Sequence, residues 1–330
     1  MEDRRENRKK VVVTGRIPKD PLKRLERDFE VIYPKSDPMG EKELLDIIPE
    51  CDAVITVFGR KFPDKAITEG SRLRIISNYG GGVDNINIPL ATERGVVVTN
   101  TPDTVTSATA EMAMALLLSL ARRVSECDRK LRSESGLEWG LMKNLGTTLR
   151  GKRAGIIGMG RIGKAIARLA LPFGIEIAYH NRNRVAKNIE QQLNARYSER
   201  DDLMRESDII FISTPLTEST RSSIGEREFK MMKSEALFIN TSRGEVVDEE
   251  ALIKALENGE IAGAGLDVFA DEPNISPGLL EMDNVVLTPH TGTGTDETRE
   301  QLSAAAADNI IGFFRGDDIP YILNPEALKV

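Results

Sequence analysis

Cysteine, histidine and tryptophan are scarce in this chain, and each scarcity removes a class of protein. Of 330 residues only two are cysteine, two histidine and one tryptophan. Cys51 and Cys127 are too few for a disulfide framework and too far apart for zinc-ligand spacing. A reducing, cytoplasmic setting is expected, with no metal site. Long apolar runs are missing too. The longest candidate, after Ala110, is interrupted by Arg122 and Arg123, so no membrane span is expected. The start, Met1 to Lys10, is highly charged and lacks the apolar stretch of a signal peptide; residues 1–9 read as a frayed tail. Positive charge is also in deficit. A net charge of −7 argues against nucleic acid or an anionic membrane as partner, and any anion site must be local. The chain is long enough for two domains with a large core.

What is present is organised around Arg153 to Lys164. The apolar run Ala154 to Ile157 predicts a buried parallel strand. Gly158, Gly160 and Gly163 follow as G-x-G-x-x-G, and an apolar-periodic segment begins at Ile162. Strand, glycine turn and helix are the parts of a dinucleotide-binding crossover. Gly158 permits the tight turn, Gly160 lets backbone approach a pyrophosphate, and Gly163 lets helix and strand pack closely. The N–H groups at the helix start then face the phosphates.

Upstream, residues 10–101 alternate strand-like and helix-like segments. Strands are expected at 11–14, 30–33, 53–58, 73–78 and 95–100, with helices at 21–28, 41–48 and 64–69. That alternation predicts a separate parallel α/β domain. The loop Tyr79 to Asp84 carries three glycines, which suit either an anion or a plain tight turn. Residues 107–134 read as one long helix, apolar nearly all round from Ala108 to Ala121. Such a helix must be buried on every side, between domains or against a second subunit. Trp139 follows in a loop, as an interface or packing residue. Downstream, strands at 176–179, 209–213, 236–240, 263–268 and 285–287, with helices at 164–173, 227–233 and 249–257, predict a doubly wound sheet with its crevice at the strand carboxyl ends. The last helix, Thr295 to Arg315, should pack back onto the first domain.

The strand after the glycine motif ends in His180-Asn-Arg-Asn-Arg184, with no carboxylate for the ribose hydroxyls of NAD. Arg182 and Arg184 suit a 2′-phosphate. NADP(H) is therefore favoured; NAD(H) is the alternative if both arginines are solvated surface residues. For hydride transfer to a carbonyl, a histidine is the usual proton donor. His180 lies at the adenosine end, whereas His290 lies just past a strand in the crevice position. Asp267, Asp271 and Glu272 follow another strand, and Arg243 a third. Each has a bland reading, as a helix cap, loop salt bridge or buried histidine. Together they converge on one crevice.

These pieces resemble the D-isomer-specific 2-hydroxyacid dehydrogenase family. The resemblance rests on Gly158 to Gly163, Pro215-Leu-Thr217, Asn240-Thr-Ser-Arg-Gly244 with Asp248, Leu266-Asp-Val-Phe269 with Asp271-Glu-Pro273, and Pro289-His290. It implies two Rossmann-like domains. A flavodoxin-like substrate domain comes from residues 1–101 and 291–330, and an inserted NAD(P)-binding domain from 102–290. It implies a homodimer through the helix near Ala108. By motif, Arg243 holds the substrate, Glu272 hydrogen-bonds His290, and His290 is general acid in reduction. Gly81 and Gly82 bind the substrate carboxylate. Thr109, Arg161, Ile162, Pro215, Thr220, Thr241, Asp267 and Gly292 join the glycines, Asn181, Arg182 and Arg184 at the cofactor, with Asp267 on the nicotinamide amide. Asn181-Arg182 looks like the NADPH-using glyoxylate and hydroxypyruvate reductase branch. The expected activity is reduction of a small 2-oxo acid to a D-2-hydroxy acid. Rival expectations are an NAD-linked D-lactate or phosphoglycerate dehydrogenase and a cofactor-sensing, corepressor-like protein. With the sequence ending at Val330, neither an added regulatory domain nor a partner-binding extension is expected. Gly81 and Thr291 to Gly294 depart from the family pattern near the substrate pocket.

Overall fold

Strands and helices alternate along the chain in the computed structural model, which describes residues 8–57, 60–133 and 136–329. Residues 1–7 of the expected tail, Phe58 of the expected third strand and Glu134 of the expected long helix lie outside the described residues. The chain divides into two compact units, residues 1–105 with 294–330, and residues 106–293. The breaks fall a few residues downstream of positions 101 and 291.

The first unit holds a five-stranded parallel sheet of order β2-β1-β3-β4-β5. Its strands are β1 (Lys10–Val13), β2 (Glu30–Ile32), β3 (Ala53–Val57), β4 (Ile75–Tyr79) and β5 (Val97–Thr99). This is the flavodoxin-like order. β3 and β4 are buried almost throughout, because helices cover both faces of the sheet. The helix Asp296–Arg315 packs on β4. Ser77 Oγ donates to the Ala306 carbonyl at 3.0 Å, and the Tyr79 hydroxyl donates to the Arg299 carbonyl at 2.8 Å.

The second unit holds a seven-stranded parallel sheet of order β12-β11-β10-β9-β6-β7-β8. The strands are β6 (Arg153–Ile157), β7 (Glu176–His180), β8 (Ala195–Tyr197), β9 (Ile209–Ile212), β10 (Leu237–Asn240), β11 (Gly263–Leu266) and β12 (Val285–Leu287). The order reverses between β6 and β9, which places the crevice of a doubly wound sheet at their carboxyl ends.

The expected single helix over 107–134 is two helices, Thr106–Ala121 and Val124–Arg132. Arg123 breaks it in the left-handed region, at φ 54°. The first helix packs against the helix Arg161–Ala170 and against β10, β11 and β12. Its apolar composition is therefore accounted for by its own unit's sheet. Trp139 packs nowhere comparable and is 87% exposed. Among the described residues no helix is long and apolar enough to cross a membrane.

Candidate active site

The glycine turn sits where the sheet order reverses. Gly158 has φ +100°, and a Cβ there would lie 2.4 Å from the Ser213 carbonyl oxygen. A Cβ at Gly163 would lie 2.2 Å from the Gly158 oxygen, so helix and strand touch through glycine. At Gly160 a Cβ would meet nothing within 4 Å. That open space lies at the N-terminus of the helix Arg161–Ala170, which no side chain caps. The first N–H groups of a helix lack intrahelical acceptors and carry partial positive charge. Helix-start N–H groups, open space and glycine backbone together fit a pyrophosphate.

The end of β7 borders this turn. Asn181 Oδ1 accepts from the Met159 N–H at 2.6 Å and ties the two segments together. Arg184, expected at a 2′-phosphate, pairs with a carboxylate in this structure. Its guanidinium makes two hydrogen bonds to Glu190, at 2.7 and 3.0 Å. Glu190 also accepts from the Tyr179 hydroxyl at 2.6 Å. Arg182 is exposed and makes no ion pair among the described residues. His180 faces the Ser198 carbonyl at 3.1 Å. Pro215 and Thr220 form one turn: the Thr220 hydroxyl donates to the Pro215 carbonyl at 2.7 Å.

On the other side of the crevice, β10, β11 and β12 end in register, Asn240 beside Leu266 and Leu266 beside Leu287. Their next residues bear the polar side chains. After β10, Asn240 Oδ1 accepts from the Ser242 N–H at 3.0 Å and its Nδ2 donates to the Arg243 carbonyl at 2.9 Å. This local turn presents Arg243. A Cβ at Gly244 would lie 1.9 Å from the carbonyl carbon of Phe269, so the Arg243 loop and the loop after β11 press backbone to backbone.

After β12, His290 sits at φ 50°, an uncommon region for a residue with a Cβ. Asp267 holds it there. The Asp267 carbonyl accepts from the His290 N–H at 2.8 Å. Its carboxylate, 1% exposed as a residue, accepts from the Thr288 hydroxyl at 2.7 Å, the Thr291 N–H at 2.8 Å and the Gly292 N–H at 2.7 Å. Both carboxylate oxygens, expected on the nicotinamide amide, are thus engaged by the histidine loop. Thr109 and Asp267 both lie beside Gly292, and Thr241 is buried just past β10.

His290 Nδ1 lies 2.7 Å from Glu272 Oε2. Glu272 Oε1 accepts from the Phe269 N–H at 3.0 Å. Burial pushes the Glu272 carboxyl up. The hydrogen bond and charge of His290, the Phe269 N–H and the charge of Arg243 outweigh it, and hold the carboxyl below its ordinary range. Glu272 should therefore stay ionised as pH falls through the usual carboxylate range. Its contribution to stability is present above the unfolded pKa and lost as pH falls through the lowered folded one. Acid unfolding of wild type and E272Q checks this: the gap in stability should be full near neutrality and shrink in acid. A gap that widens in acid overturns it.

In the first unit, Gly81 and Gly82 form the turn after β4, with Gly82 exposed. Asn78 and Asn100, which hold that turn from beneath, were missed in the sequence. Their only signal there is an amide at the end of a strand, before a glycine run in the case of Asn78.

Comparison with known proteins agrees with this geometry. Residues 114–292 match the family described as D-isomer specific 2-hydroxyacid dehydrogenase, NAD binding domain. The chain is 43% identical to a glyoxylate reductase of Pyrococcus furiosus over 326 residues, 97% of each chain. Among solved structures it resembles a protein of Thermus thermophilus, with TM-score 0.89 and 35% identity over 95% of this chain and 99% of that one. It also resembles an NADPH-dependent glyoxylate/hydroxypyruvate reductase of Sinorhizobium meliloti in complex with NADP and malonate. There the TM-score is 0.84 and the identity 31%, over 97% and 98%. A doubly wound sheet with this turn and this side-chain set is that of an NAD(P)-dependent oxidoreductase acting on 2-hydroxy acids. The chain belongs to the D-isomer-specific 2-hydroxyacid dehydrogenase family, on its glyoxylate reductase branch.

Proposed function

We propose that this enzyme reduces small 2-oxo acids, of the glyoxylate and hydroxypyruvate kind, to D-2-hydroxy acids, with NADPH preferred. The observation that carries it is the His290–Glu272 pair at 2.7 Å, with the Arg243 charge acting on the same carboxylate. The nicotinamide dinucleotide, when bound, supplies the hydride to the carbonyl carbon. Glu272 occupies Nδ1 of His290, so Nε2 is the atom that gives its proton to the carbonyl oxygen. Arg243 holds the substrate and stabilises the negative charge that grows on that oxygen. The Gly81 and Gly82 N–H groups receive the carboxylate.

Glycine backbone and the helix N-terminus at Gly160 hold the pyrophosphate. Arg182, rather than Arg184, meets the 2′-phosphate. Arg182→Ala should raise KM for NADPH about tenfold or more, the scale of one charge-assisted contact. KM for NADH should stay put. An equal loss with both cofactors removes Arg182 from that role.

The function is tested by following NADPH and NADH absorbance with glyoxylate, hydroxypyruvate, pyruvate and a bulkier 2-oxo acid. Oxidation with the two small hydrophilic acids, faster with NADPH, is expected. No turnover of any 2-oxo acid sinks the activity; a clear NADH preference sinks only the cofactor choice.

A further inference from the structure

The turn after β4 is built from inside. A trans peptide holds each C=O opposite the next residue's N–H. Fixing a carbonyl inward therefore aims the following N–H outward. The Gly80 carbonyl accepts from the Thr101 N–H at 3.0 Å and from Asn78 Nδ2 at 3.3 Å. The Gly81 carbonyl accepts from Asn100 Nδ2 at 2.7 Å. The Gly82 carbonyl accepts from Asn78 Nδ2 at 2.7 Å. All three oxygens are thus held by donors beneath the turn. Neither the Gly81 nor the Gly82 N–H has an acceptor among the described residues.

The Asn78 amide is itself held, and the Asn100 backbone is tied down. Asn78 is 0% exposed, and its Oδ1 accepts from the Thr56 hydroxyl at 2.8 Å and from Asn85 Nδ2 at 3.3 Å. Those donors fix which end of the amide faces the turn. Asn100 is 7% exposed, and its backbone carbonyl accepts from Asn309 Nδ2 at 3.3 Å. Its Oδ1 is buried with no hydrogen-bond partner. An unsatisfied buried acceptor is costly. The working end of the Asn100 amide is its donor, on Gly81.

We infer that Asn78 and Asn100 are positioning residues that aim the Gly81 and Gly82 N–H groups at the substrate carboxylate. Asn78 acts on the Gly81 N–H through the Gly80 carbonyl, and Asn100 acts on the Gly82 N–H through the Gly81 carbonyl. This rests on the carboxylate role given to the turn above. Neither asparagine touches the substrate; each acts through a peptide plane.

The test uses the full chain with NADPH, glyoxylate as substrate and oxamate as an unreactive carboxylate probe. Asn100→Leu and, separately, Asn78→Leu should raise KM for glyoxylate and Kd for oxamate about tenfold or more, the scale of a hydrogen bond to a charged group. kcat should change by less than about threefold, and KM for NADPH should not move. Ser77→Ala is the control. It removes a buried hydrogen bond from the same strand and should lower thermal stability while leaving the oxamate Kd alone. An unmoved oxamate Kd in Asn100→Leu, or an equal rise in Ser77→Ala, overturns the inference. Should the leucine variants not fold, wild-type amide exchange decides: oxamate must slow Gly81 and Gly82, and unchanged exchange overturns it. A wild type that binds oxamate at the turn yet reduces no 2-oxo acid would sink the proposed activity and spare the turn. An active wild type whose Asn100→Leu variant keeps its KM does the reverse.

Discussion

His290→Asn should fold normally and lose about two to four orders of magnitude in turnover, the range for removing a general acid. Asparagine is the informative replacement because position 290 sits at φ 50°, which asparagine tolerates better than most residues. It keeps the backbone of the loop while removing the imidazole. Binding of NADPH, measured by fluorescence, should be close to wild type. Turnover within about tenfold of wild type would remove His290 from the proton transfer, since that is below the usual effect of a general acid. The loop around it is held independently by Asp267, through the Thr291 and Gly292 N–H groups, so a large loss cannot be blamed on loop collapse.

Arg243→Ala should lower kcat/KM by about two to three orders of magnitude, the cost of losing one strong donor to a developing oxyanion. The loss should appear in both KM for the 2-oxo acid and kcat, because one guanidinium both binds the substrate and stabilises the charge that grows on its oxygen. Arg243→Lys should recover only part of it, since an ammonium cannot make two parallel hydrogen bonds. Full activity in the lysine variant would mean that only a positive charge is needed. An unchanged KM in Arg243→Ala would place the substrate elsewhere.

The glycine turn was legible in the sequence because its chemistry is local. Only glycine fits at Gly158 and Gly163, and the flanking strand and helix patterns are strong. The catalytic candidates were legible for a similar reason: each lies in the loop that follows an apolar strand. Other features were not. Arg122 and Arg123 end the apolar run, but only the left-handed backbone at Arg123 shows that the helix itself breaks there. The Arg184–Glu190 pair spans an unread helix start, Lys187–Leu193, so Arg184 looked free. The inward use of the Asp267 carboxylate depends on the Thr288 to Gly292 loop folding back, which no pattern of residue types announces. Sheet class followed from alternating segments, but the two strand orders depend on long-range pairing.

The split composition of the first unit has a consequence for synthesis on the ribosome. Residues 106–293 are contiguous, and the helix Thr106–Ala121 covers their sheet. That unit can finish folding as soon as it has emerged. The first unit cannot. Its β4 waits for the helix Asp296–Arg315, and the Val98 N–H waits for Asn324 Oδ1, 2.7 Å away in the folded chain. The segment made first is completed last, and its apolar strands must stay shielded from other nascent chains while nearly two hundred residues are translated.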